Sequence, residues 1–237
     1  MPNHDVIYAS QAAQYHRMIA AQPDLSDVIS RIRPYRGLDI LDMGAGTGRL
    51  SSFLVPEARS LTATDLSAAM LDLLTQRIPT EYHPRLVTAA ADHRALPLGN
   101  ASVDLIVSGW SVCYLASSNS PDWELNLERA MDEMYRVLRP GGTVILLETM
   151  GTGYETPHPP VLLLNYYGQL EHRYGFQHRW IRTDYTFDSP QEAEELTRFF
   201  FDGELADRVA AAGNPTVPEC AGLWWTTKEE LSSRIGE

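Results

Sequence analysis

Up to about position 150, short unbroken apolar runs alternate with stretches whose apolar residues fall three and four apart. Leu38 to Met43, Ser60 to Asp65, Arg85 to Ala90, Val103 to Ser108 and Thr143 to Glu148 are runs of strand length, most of them bounded by turn residues. Between them, Arg49 to Val55, Ser67 to Ile78 and Leu125 to Leu138 carry the helical period. Ser67 is placed as an N-cap, Pro79 closes the second helix, and Pro140-Gly141-Gly142 stops the third. Two further helices are predicted ahead of the first strand. Val6 to Ala21 puts Tyr8, Ala12, Tyr15 and Ile19 on one face, and a second helix, capped by Asp24 or Ser26, runs to Arg33. Strands alternating with helices predict an α/β fold around a parallel sheet with both faces covered.

Beyond the fifth strand the texture changes. Gly151 to Gln177 is rich in glycine and proline and contains a helical stretch near Val161 to Tyr174. Eight of the 22 aromatic residues fall between Tyr154 and Phe187, a seventh of the chain. Two readings fit. Gly151 to Phe187 is a lid over the sheet's carboxyl edge, or Leu163, Tyr166, Leu170 and Tyr174, at helical spacing, pack this helix onto the domain or onto a second subunit in a homodimer. Trp180 to Phe187 then alternates as a strand, Pro190 to Ala212 is helical, and Thr216 to Thr226 forms a last strand.

Composition narrows the class. The 237 residues are 44% hydrophobic, enough for a core without disulfides or a structural metal. Nineteen basic against 31 acidic side chains give a net charge of −12, with one lysine, Lys228, and scattered arginines. A nucleic-acid partner is not expected, because phosphate binding needs a concentrated basic footprint. Met1 to Asp5 lacks the basic and apolar pattern of a leader, and no apolar run approaches a membrane span, so a cytoplasmic protein without membrane insertion is expected. Cys113 and Cys220 form no Cys-x-x-Cys pair, and His158, His172, His178 and Glu171 lack the spacing of a metal site; no metal is expected.

The chemistry is concentrated at strand ends. The first strand delivers Asp42-Met43-Gly44-Ala45-Gly46-Thr47-Gly48, a glycine turn that lets backbone lie against a nucleoside at the edge where open α/β sheets bind ligands. A dinucleotide fingerprint would need glycine at 49, where Arg49 stands, so nicotinamide chemistry loses ground. Asp65, 21 residues after Gly44, ends the second strand as an acceptor for ribose hydroxyls. Ala91-Asp92-His93 follows the third strand, where an acid can meet an adenine amino group and His93 can flank the ring.

In these motifs the chain resembles the class I S-adenosylmethionine-dependent methyltransferases, particularly the small-molecule group that includes the ubiquinone and menaquinone biosynthesis methyltransferases. The resemblance is carried by Leu41 to Gly48, by Ala63-Thr64-Asp65-Leu66-Ser67 with Met70, and by Ala91 to Pro97. Ser102 to Ser108 and Tyr135 to Gly142 complete it, in order, across residues 38 to 148. It implies a Rossmann-like, doubly wound, seven-stranded, mostly parallel sheet. Residues 1–237 would then form one methyltransferase domain, with an N-terminal helical cap over 4–34 and a lid or insertion over 151–180. S-adenosylmethionine is the implied cofactor: Asp42, Gly44, Ala45, Gly46 and Gly48 form its cradle and Asp65 holds the ribose. Leu66 and Met70 pack on the adenine, Asp92 and His93 meet its edge, Ser108 and Gly109 face the methionine end, and Tyr15 with Tyr8 covers it.

Departures from relatives of this fold matter as well. Ser108-Gly109-Trp110-Ser111 replaces the Asn/Asp-Pro-Pro-Tyr-like segment of base-methylating enzymes, and the metal-binding carboxylates of catechol-type enzymes are missing. Cys113 lacks the preceding proline and basic partner of a C5-type nucleophile. The expected function is methyl transfer to a small, apolar or aromatic acceptor by in-line displacement. His158 is the candidate base, ahead of His172, and Trp110, Tyr114, Tyr167 and Trp180 are the acceptor-pocket candidates. A catalytically silent cofactor-binding sensor of the same fold is the alternative.

Overall fold

A computed structural model describes residues 4–232 of the chain, so Met1, Pro2, Asn3 and residues 233–237 lie outside the described residues. The elements run α1 (His4–Ser10), α2 (Ala12–Ala20), α3 (Ser26–Ile32), β1 (Asp39–Met43), α4 (Ser51–Leu54), β2 (Ser60–Asp65), α5 (Ala68–Arg77) and β3 (Leu86–Ala90). Then come β4 (Val103–Gly109), α6 (Cys113–Ala116), α7 (Trp123–Val137), β5 (Leu138–Thr152), α8 (Leu164–Gly168), β6 (Gln177–Arg182) and β7 (Tyr185–Thr186). Last are α9 (Pro190–Phe200), α10 (Gly203–Ala212), β8 (Thr216–Val217), β9 (Glu219–Thr227) and α11 (Lys228–Ser232). Seven strands form one sheet in the order β3-β2-β1-β4-β5-β9-β6, while β7 and β8 pair separately. Within the large sheet β9 alone runs opposite to the other six strands.

Unbroken apolar runs mark strands buried on both faces. Leu41, Met43, Ile106, Val144 and Leu146 point to one side, where α7 packs through Leu127, Met131 and Met134. Ile40, Leu105, Val107, Ile145 and Leu147 point to the other, against Ile29 of α3, Leu54 of α4 and Leu71 and Leu74 of α5. A third cluster joins α1 and α2 (Ile7, Met18, Ile19) to β7, β8, α9 and α10 through Tyr185, Phe187, Leu196, Leu205 and Val217. The N-terminal helices α1 and α2 thus pack with residues 185–217, whereas α3, expected to join them in the cap, packs against the sheet with α4 and α5.

Several predicted elements divide. The expected single helix Val6 to Ala21 breaks at Gln11, whose φ of −126° and ψ of 28° leave the helical region. Seven residues of straight helix would separate Tyr8 from Tyr15 by about 10 Å of rise; with the bend their rings meet edge-on at 5.3 Å. Pro190 to Ala212 also divides, because Phe201 is extended and Asp202 starts a new helix by accepting from the Leu205 amide. Trp180 to Phe187 separates into β6 and β7, joined by a corner where Asp184 accepts both from Arg182 and from the Glu219 amide. The α4 helix is shorter than expected and α6 and α11 were not foreseen, whereas Ser67 caps α5 as predicted, accepting from the Met70 amide.

The stretch expected to form a lid is largely at the surface, but its helix is anchored inside. Its helix packs into the main core through Leu163, Tyr166, Tyr167, Leu170 and Tyr174, which is the plainer of the two sequence readings. No helix among the described residues is long and apolar enough to cross a membrane.

Candidate active site

The end of β1 passes into the glycine turn, where Gly44, Gly46 and Gly48 have φ of 77°, 53° and 89°. At Gly44 the conformation and the packing both demand glycine, because a Cβ there would lie 1.9 Å from Ser111 Oγ. At Gly46 the same atom would meet nothing nearer than Tyr15 Cε1 at 3.9 Å. That open side is the floor of a cavity. Asp65 braces the turn: its carboxylate accepts from the Gly46 amide at 2.9 Å and the Ser67 amide at 2.8 Å, and burial raises its pKa.

This outer cavity has a volume of about 700 Å³, the size of a cofactor site. Its walls include Tyr8, Tyr15, Gly44, Gly46, Asp65, Leu66, Met70, Asp92, His93 and Gly109. Leu66 is 74% exposed at its rim, and Met70 is buried. Asp92 is clamped by Arg94, whose Nε and Nη2 donate at 2.8 and 2.6 Å and hold the carboxyl down at about 2. His93 is buried with Nε2 2.8 Å from Ser111 Oγ, and burial pushes it down to about 4, so the ring is neutral at pH 7.

A second cavity of about 270 Å³ lies beside it. The two share Tyr8, Tyr15, Gly44, Gly46, Gly109, Trp110 and Tyr114. The sheet order explains the division: the outer cavity sits over the ends of β1, β2 and β3, the inner one over β1, β4, β5 and β9, and β4 supplies the partition. Trp110 is held at φ 52°, a strained conformation for a bulky residue, by donating its amide to Leu147 O at 2.6 Å. The Arg49 guanidinium stacks over that ring at 3.9 Å. Above, the Tyr8 and Tyr114 hydroxyls bond at 2.6 Å, and Tyr114 Oη lies 3.2 Å from His4 Nδ1.

Three carboxyls surround the inner cavity, and burial pushes each up to about 7. Asp42 accepts from Ser51 Oγ at 2.6 Å beneath the glycine turn. Glu148 accepts from the Cys113 amide at 3.0 Å and the Tyr166 hydroxyl at 3.1 Å, behind the wall. Glu219 accepts from Thr149 Oγ1 at 3.1 Å and lines the cavity itself. Each retains one buried oxygen without a partner.

Of the residues predicted from sequence, Tyr15, Asp42, Gly44, Ala45, Gly46, Asp65, Leu66, Met70, Asp92, His93, Gly109, Trp110 and Tyr114 line one or both cavities. Five do not. Gly48 packs against Leu74, and Ser108 is buried, donating from Oγ to Met43 O at 2.6 Å. Tyr167 is a core residue that donates to Thr149 O and stacks on Trp224. Trp180 is 45% exposed on β6. His158, the candidate base, is exposed and stacked on Tyr154 with its amide donating to Met150 O, although Pro160 of the same loop does line the inner cavity. Sequence reasoning missed Arg49, Glu148 and Glu219 as site residues. For the two glutamates the signal was a carboxylate at the end of an apolar strand, after Val144-Ile145-Leu146-Leu147 and before Cys220-Ala221-Gly222-Leu223.

Residues 41–146 match the family described as a methyltransferase domain. Over 147 residues the chain is 33% identical to the malonyl-[acyl-carrier protein] O-methyltransferase of Pectobacterium atrosepticum, covering 62% of this chain and 52% of that protein. Over 148 residues it is 30% identical to the demethylmenaquinone methyltransferase of Symbiobacterium thermophilum, covering 60% and 51%. The chain thus spans about half the length of these curated relatives. Among solved structures, an S-adenosylmethionine-dependent methyltransferase from Aquifex aeolicus superposes with a TM-score of 0.60 at 14% identity, covering 91% of this chain and 96% of that one, a likeness of fold. Residues 41–146 thus match a methyltransferase domain, and over that region the chain is similar to named methyltransferases. The open side of Gly46 and the paired Asp65 oxygens fit that family's cofactor.

Proposed function

We propose that this protein transfers a methyl group from S-adenosylmethionine to a small-molecule acceptor enclosed in the inner cavity. The observation that carries the reading is the pair of contiguous cavities meeting at Gly109 and Trp110, one bordered by the glycine turn and Asp65, the other small and largely apolar. The backbone at Gly44 and Gly46 and the Asp65 carboxylate would hold the nucleoside, with Leu66 and Met70 against the base and Asp92 and His93 at its edge. When bound, the cofactor's sulfonium supplies an already activated methyl group. The protein's task is then positioning, worth roughly 7–11 kcal/mol in favourable intramolecular analogues. Trp110, Tyr15 and the Tyr8–Tyr114 pair align the acceptor and exclude water.

The two relatives act, by name, on a malonyl-acyl carrier protein and on demethylmenaquinone. Here the inner cavity has about 270 Å³, which suits a small acceptor or the small reacting end of a larger one. Calorimetry with S-adenosylmethionine and S-adenosylhomocysteine tests the reading. Micromolar or tighter binding is expected, and Asp65→Ala should weaken it at least tenfold, since each charged hydrogen bond contributes about 1.5–3 kcal/mol. Binding of neither compound to the folded protein would overturn the proposal.

A further inference from the structure

Among the three buried carboxyls, Glu219 is set apart by place. Asp42 also borders the inner cavity, but from under the glycine turn, on the β1 side and tied to Ser51, and Glu148 is closed off from it by Cys113 and Tyr166. Glu219 stands at the start of β9 opposite Thr152 of β5, two strands beyond the partition and therefore on the acceptor side. Its side chain is 1% exposed, lines the inner cavity and leaves Oε2 without a partner. Arg49 lines the same cavity from the β1 side and likewise keeps a buried nitrogen, Nη2, unpartnered. The two charges do not form an ion pair.

We infer that Glu219 is the proton acceptor for a hydroxyl- or amine-bearing methyl acceptor, which sits between it and Arg49. The inference rests on the methyl-transfer reading above. As the acceptor oxygen or nitrogen forms its bond to the methyl carbon, the carbon–sulfur bond breaks and sulfur keeps the electron pair, giving S-adenosylhomocysteine. The acceptor's proton passes to Glu219 Oε2 and later to solvent. A carboxylate acceptor, by contrast, has no proton to lose and would leave Glu219 idle.

The surroundings of Glu219 suit this role. Burial raises its carboxyl to about 7, near the working pH where a general base is most effective. The hydroxyls of Thr149 and Thr152 and the positive charge of Arg49 oppose that rise, and Asp184, itself paired to Arg182, reinforces it. Tyr167, Tyr185 and Cys220 also face it, and burial keeps all three protonated at neutral pH.

The test compares wild type with Glu219→Gln and Glu219→Asp, using three labelled-methyl probes: a small phenol, a small primary amine and malonate. Cofactor affinity should change less than about threefold in both variants, and wild type should methylate the phenol or the amine. Its turnover should rise with pH through about 7, and Glu219→Gln should lose about a hundredfold or more of kcat together with that rise, with Glu219→Asp retaining part of both. Infrared difference titration of the S-adenosylhomocysteine complex should show a carboxyl near 7 that vanishes in Glu219→Gln. The inference is overturned if the Gln variant keeps wild-type turnover and pH profile. Transfer to malonate alone, no transfer to any probe by a protein that binds the cofactor, or an unchanged infrared titration would overturn it too. Failure to bind either sulfur nucleoside instead removes the reading beneath it.

Discussion

The two cavities at the sheet's carboxyl edge are built in different ways. The outer one is chiefly a backbone construction: a turn of positive-φ glycines, braced by Asp65, with most of its walls supplied by residues 42 to 126. The inner one is a side-chain construction, in which residues as far apart as His4, Arg49, Cys113, Tyr185 and Glu219 converge. A ligand that never changes can be held by backbone geometry, which tolerates no substitution. On the reading proposed above, the acceptor is held instead by side chains brought together from segments distant in the chain.

That contrast predicts the largest effects at the glycines. In Gly44→Val the new side chain meets Ser111 at once and the residue keeps φ of 77°. Strain of roughly 1–3 kcal/mol together with overpacking of similar size should lower the melting temperature and remove measurable cofactor binding. Gly46→Val should spare more of the stability, having only Tyr15 Cε1 at 3.9 Å, while still blocking the cofactor. Calorimetry together with thermal melts separates the two. If both variants bind S-adenosylhomocysteine as wild type does, the backbone of the glycine turn does not form the cofactor's cradle.

A middle-sized effect separates the two candidate aromatics of the 151–187 stretch. Tyr167 is buried, donates to Thr149 O at 2.6 Å and stacks on Trp224, so Tyr167→Ala should cost roughly 3–5 kcal/mol of stability and leave cofactor affinity intact. Trp180, 45% exposed on β6, should tolerate Ala within about 0.5 kcal/mol. Denaturant melts measure both. A Trp180→Ala protein with normal stability but altered acceptor preference would restore the lid reading.

The same contrast explains what could be read in advance. Strands β1 to β5 and the turn that borders the outer cavity were legible because local pattern and contiguous motif agree there: Leu38 to Gly48 is at once a buried strand and a glycine turn at the cavity's edge. The aromatic richness of Tyr154 to Phe187 was visible, but density alone does not say whether rings line a cavity or fill a core. Here Tyr166, Tyr167 and Tyr174 fill the core. His158 looked catalytic because it lies on the loop after β5, yet one backbone bond to Met150 O and a stack on Tyr154 turn it outward. Glu219 looked like a strand residue and nothing more, since only the antiparallel pairing of β9 with β5 brings it beside Thr149 and Thr152. Long-range pairing decides the inner site, and it is what a local pattern carries least.

The smallest effect concerns pH. Asp42, Glu148 and Glu219 have folded pKa values pushed up to about 7 from ordinary values of 3.8, 4.5 and 4.5. The folded state therefore holds these protons more tightly than the unfolded chain, and the stability they contribute is full below the ordinary values and lost as pH rises through about 7. His16 and His93 act in the opposite sense: burial pushes both from 6.5 to about 4, so their contribution is present above 6.5 and lost as pH falls through about 4. Asp92, held at about 2, matters only in stronger acid. Below about 6.5 the carboxyls and histidines oppose each other, and above it the histidines of the unfolded chain finish losing their protons, so that between about 6.5 and 8 the carboxyls dominate among these groups while the histidines offset part of their effect. Stability of the cofactor-free protein should fall across that window by somewhat less than about 1 kcal/mol per carboxyl, a few degrees in melting temperature altogether. Scanning calorimetry at fixed ionic strength checks it, and Glu219→Gln should flatten the slope by about one third to one half of its value. A melting temperature that rises from pH 6.5 to 8 would mean that the three carboxyls are ionised in the folded protein, and that the inner cavity is wetter than its burial indicates.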